Sequence, residues 1–90
     1  MARSLPDHSV TTMRRHALRV YDAAMRAFRQ LPTNDSMQVV EAACKAHRLA
    51  HDLPHGAGRA ERETASNMIN WTLVAVNAVL RGRGEAEVTL

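Results

Sequence analysis

Between Ala65 and Arg81 the chain reads A-S-N-M-I-N-W-T-L-V-A-V-N-A-V-L-R, a run that would be apolar around most of a helical circumference. Met68, Ile69, Leu73, Val76, Val79 and Leu80 recur at steps of three and four, which places them along one side of a helix. Trp71, Val74, Ala75 and Ala78 cover much of what remains. Asn67, Asn70, Asn77 and Arg81 form a narrow polar seam. A helix this apolar is normally covered on several sides. The spacing therefore predicts the central helix of a bundle, or one shared with a second subunit. A membrane crossing is excluded, because it needs roughly 20 apolar residues and three Asn would be costly in lipid.

The rest of the chain must supply partners for that helix. Ninety residues, 46% of them hydrophobic but only 3% aromatic, make a single helical domain over residues 1–90 with a thin, Ala-rich core. Pairing with another copy adds burial that so small a chain lacks. The net charge of +3 is uneven. Six Arg against Asp7 and Asp22 put the whole excess in residues 1–31. The single Cys, Cys44, rules out an intrachain disulfide and suits a reducing compartment. No apolar signal core occurs near Met1, so the expected location is the cytoplasm.

Taken in order, residues 1–8 read as a loose arm, with Asp7 or Ser9 able to cap the first helix. That helix, long and amphipathic, is predicted over about 9–31, with Val10, Met13, Ala17, Val20, Tyr21, Ala24, Phe28 and Leu31 inward, until Pro32 stops it. The turn P-T-N-D-S leads to a second helix over about 36–53, with Asp35 and Gln38 approximating a capping box. Its inward residues are Val39, Val40, Ala43, Ala46, Ala50 and Leu53. Pro54, Gly56 and Gly58 break it, and a third helix runs over about 59–81, closed by Gly82. The tail, residues 82–90, lacks a helical period and is expected to be mobile. The expected fold is all-α: an up-down-up bundle of three helices that dimerises.

Three sets of residues carry candidate functions. Cys44, His47 and His51 fall at i, i+3 and i+7, so one face presents a thiol and two imidazoles at a spacing suited to one zinc ion. Glu41, one turn earlier, is placed as a fourth ligand or a support, whereas His55 lies beyond Pro54, where the register is lost. The same face borders the apolar stripe, and His and Cys there are ordinarily half-buried packing residues. Cys44-Lys-Ala-His47-Arg-Leu-Ala-His51 resembles the C-x-x-C-x-x-x-H helix of the alkylhydroperoxidase-D-like family. His47 stands where that motif has its second Cys, so the dithiol chemistry that the resemblance would imply is missing.

The second set is Arg14, Arg15, Arg19, Arg26 and Arg29, a row able to follow nucleic-acid phosphates or an acidic protein. Asp22 interrupts it, no aromatics interleave, and the connection Pro54–Gly58 is too long for a helix-turn-helix. A solvated helix face is the plainer account. The third set is a self-association surface on the last helix: Asn70, Trp71, Val74, Asn77 and Ala78. Asn70 and Asn77, seven residues apart, suit the fixing of register between paired helices, or else mark its solvent edge. His8 and His16 stand alone. No phosphate loop, nucleophile elbow or carboxylate pair is present. These features favour a small regulatory or accessory protein that binds another protein and a second copy of itself. The alternatives are a nucleic-acid-binding accessory using the Arg row, or a zinc-dependent sensor or small enzyme at Cys44, His47 and His51.

Overall fold

The structure is a computed structural model that describes residues 9–90. The arm before Ser9, with Asp7 and His8, lies outside the described residues. Three helices pack against one another: α1 (Val10–Gln30), α2 (Asn34–Asp52) and α3 (Arg59–Gly82), with no strand among the described residues.

Each boundary has a local cause. Ser9 caps α1, its hydroxyl oxygen accepting from the Thr12 amide at 3.1 Å. Beyond Gln30, Leu31 turns extended ahead of Pro32. The cap of α2 is Thr33 rather than Asp35, so the helix begins earlier than predicted. Thr33 Oγ1 accepts from the Ser36 amide at 3.1 Å, and Ser36 Oγ accepts from the Thr33 amide at 2.9 Å. Ser36 is fully buried there, which makes it the natural member of the reciprocal pair. At the start of α3, Gly58 donates its amide to Glu61 at 3.0 Å.

The core is built largely from alanine. Among the described residues nine of the seventeen buried apolar ones are Ala, and α2 contributes Val39, Ala43, Ala46 and Ala50. Side chains this small let helix backbones approach closely. α1, not α3, is the most covered helix: eight of its residues are buried, against Ala65, Ile69, Thr72, Val76 and Leu80 on α3. The expected central position of α3 is thus corrected. Two short neighbours cover only one of its stripes, leaving Trp71 79% and Val74 69% exposed.

Two arginines tie helix ends together. Arg14 Nη2 donates to the carbonyls of His51 (3.1 Å) and Leu53 (3.0 Å), where α2 ends. Arg83, just past α3, donates to Ala27 and Leu31 at 2.7 Å each, where α1 ends. Cations at such carbonyls satisfy groups that the helix itself leaves open.

The segment after α3 departs from expectation. Gly84, at φ +72°, takes the left-handed position that closes the helix. The Glu85 amide donates to Leu80 and the Gly84 amide to Arg81, at 2.9 and 3.1 Å, the paired bonds of a Schellman turn. The chain then doubles back and Val88 packs against the core. Nothing local in the sequence signals this contact, because Val88 meets Asn77 eleven residues away.

Candidate functional site

An open, mostly apolar groove of about 570 Å³ runs between α2 and α3. Gln38, Val39 and Ala42 form its α2 wall. Thr64, Asn67, Met68, Trp71, Thr72 and Ala75 form the α3 wall. None of the nine carries a titratable group, so the groove offers shape and apolar surface rather than acid–base chemistry. Thr72 is buried, and its hydroxyl donates to the Met68 carbonyl at 2.8 Å. The amides of Gln38 and Asn67, the Thr64 hydroxyl and the Trp71 indole N–H are the other polar side-chain groups of the lining. Met37, next to Gln38 in sequence, and Val74, three residues past Trp71, are exposed as well, Met37 at 48%. Exposed apolar surface collected in one place is the usual mark of an interaction site.

The three sets singled out from the sequence fare differently. Trp71, Val74 and Ala78 share the exposed side of α3, and Asn70 is exposed beside them. Asn77 is engaged elsewhere. Its side chain brackets the backbone of Val88, Nδ2 donating to the carbonyl at 3.0 Å and Oδ1 accepting from the amide at 2.7 Å. The α2 wall of the groove was not foreseen. Of that wall the sequence marks Val39 as an inward residue and Gln38 as a cap, and Ala42 carries no signal.

Cys44, His47 and His51 do share a face, beside Leu18, Tyr21, Arg48 and Asp52. The His47 and His51 rings stack, centroids 5.3 Å apart and planes 26° from parallel. The Tyr21 ring lies 5.6 Å from His47. A metal shared by two imidazoles sits in both ring planes, and stacked rings set their lone pairs side by side instead. Among the described residues no three His, Cys, Asp or Glu side chains are grouped to hold one ion. Cys44 is a half-buried free thiol.

Of the five arginines Arg14 is half-buried, and Arg15, Arg19, Arg26 and Arg29 are exposed on α1. Arg14 is drawn to the end of α2. Arg29 donates back to the Met25 carbonyl at 3.4 Å, and Arg15 lies 3.5 Å from the Thr12 hydroxyl. Arg19 and Arg26 share a cleft with Asp22 and the returning segment Ala86, Glu87, Val88 and Thr89.

The site and fold together define a small all-α chain of three packed helices with an uncovered apolar groove. Comparison with protein-family models, with curated proteins and with solved structures gave no match. No helix among the described residues is long and apolar enough to cross a membrane.

Proposed function

We propose that this chain is a small interaction protein of regulatory or accessory type, that it acts in the cytoplasm, and that the exposed face of α3 pairs with a second copy of itself. The observation that carries this reading is the exposure of Trp71 at the lip of the apolar groove. An indole left in water forgoes a large burial free energy, and aromatic anchors seated in pockets dominate protein interfaces. The uncharged lining favours an equally apolar occupant, and α3 itself is the apolar surface at hand. A two-fold axis near Val74 and Ala78 sets each Trp71 against the groove of the other copy, as an isologous interface requires. Ala75 and Ala78 let the two backbones come close. Asn70 borders that interface, whereas Asn77 is committed to Val88.

Within each copy the helices run up-down-up. Arg14, near the start of α1, reaches the end of α2, and Arg83, past the end of α3, reaches the end of α1.

Trp71 is the only tryptophan, so its fluorescence reports on the interface alone. The emission maximum moves to shorter wavelength as protein concentration rises through the micromolar range. An emission that stays at the wavelength of a solvated indole at all concentrations contradicts the pairing.

A further inference from the structure

The seam between α1 and α3 already holds an extended peptide, and that peptide is the chain's own segment 85–90. Asn77 satisfies both the amide and the carbonyl of Val88 with one side chain (2.7 and 3.0 Å). Such a bracket reads extended backbone and leaves the side chain at that position free to be selected separately. The selection is apolar: Val88 is half-buried against the core, and Ala23, Ala27 and Leu80 line the cleft it shares with Glu85 and Ala86.

Charge is matched as well. Arg81 meets Glu87 at 3.3 Å, and Arg19 and Arg26 stand with Asp22 along the same segment. Three Arg against one Asp leave two positive charges over, which Glu85 and Glu87 offset. The hold is nevertheless slight. Exposed ion pairs stabilise little, and beyond the Schellman turn no other backbone pairing is seen for the segment among the described residues. Its advantage is covalent attachment, which gives a tethered ligand an effective concentration on the order of millimolar.

We propose that the α1–α3 cleft is a binding site for an extended acidic segment of a partner protein with an apolar β-branched residue next to a glutamate, and that residues 85–90 occupy it as a displaceable internal ligand. This site is separate from the apolar groove on α3, and neither depends on the other. The occupant is a peptide, because the group that Asn77 brackets in the structure is the amide and carbonyl of one backbone residue, and a nucleic acid bound there is an outcome that the test separates.

The test measures anisotropy of a labelled peptide, Glu-Ala-Glu-Val-Thr-Leu, added to the full chain. Val88→Ser weakens the internal ligand without touching the cleft. The peptide is expected to bind Val88→Ser at least about fivefold more tightly than the unmodified chain, as release of a tethered competitor requires. Adding Asn77→Leu to Val88→Ser is expected to weaken that binding at least about tenfold, at unchanged helicity by circular dichroism. Should that double variant lose helicity, Arg81→Glu with Val88→Ser replaces it, since Arg81 is exposed and its loss spares the core. A peptide with Lys in place of both Glu should not bind. The proposal is overturned by no binding to Val88→Ser at millimolar peptide, by binding indifferent to these cleft substitutions, or by an oligonucleotide binding the cleft more tightly than the peptide.

Discussion

The guanidinium of Arg14, in the second turn of α1, lies 3.0 Å from the carbonyl oxygen of Leu53, the residue that caps α2. By sequence Arg14 belongs with the solvated arginines of the first helix. In the structure it is half-buried and joins two helix ends. Charge-assisted bonds of this kind contribute more than neutral ones, and the negative end of the helix dipole adds to them.

Replacing Arg14 with Ala should therefore destabilise the fold by about 1–2 kcal/mol, whereas Arg15→Ala should change stability by less than about 0.5 kcal/mol, as exposed sites do. Parallel thermal melts decide it. Equal melting temperatures for the two variants would show that the strut contributes nothing.

The Thr33–Ser36 pair makes a second prediction. Ser36→Ala removes one side of the reciprocal cap and leaves the Thr33 amide without that acceptor. A loss of about 1–2 kcal/mol is expected. Asp35→Ala and Gln38→Ala, at the positions the sequence offered as the cap, should each cost less than half of that. Urea midpoints at constant m-value separate the cases.

Those two examples show where the sequence was legible and where it was not. Pro32 and the Pro54–Gly58 connection punctuate the chain, and the stripe Val10, Met13, Ala17, Val20 and Ala24 marks α1 by its spacing alone. Ala23 and Ala27 lie outside the set expected inward on α1, yet both are buried. Thr72 hides its polarity by donating to Met68 one turn back. The exposed side of α3 could be read from its excess of apolar residues, but only the fold shows that Gln38 and Ala42 complete a groove beside it. Long-range polar contacts leave no local trace at all. Asn77 reads as a register residue until Val88 is seen against it, and the return is launched by the left-handed turn at Gly84.

The stacked imidazoles of His47 and His51 bear on the zinc alternative. With ring centroids 5.3 Å apart and no third donor among the described residues grouped with them, one equivalent of Zn²⁺ should leave the melting temperature unchanged. A ligand that binds only the folded chain raises it by mass action. A rise with Zn²⁺ that disappears in His51→Ala would establish a metal site on this face.

Self-association through α3 is tested most directly by sedimentation-equilibrium mass at micromolar concentration, unmodified chain against Val74→Glu. Val74 is 69% exposed in the single chain, so a glutamate there costs the isolated fold little. Across a two-fold axis it sets two like charges against each other in an apolar interface. Twice the chain mass is expected for the unmodified protein and the single-chain mass for Val74→Glu. An unmodified protein that sediments as a single chain, or a Val74→Glu variant that pairs as well as the original, would contradict self-association through α3.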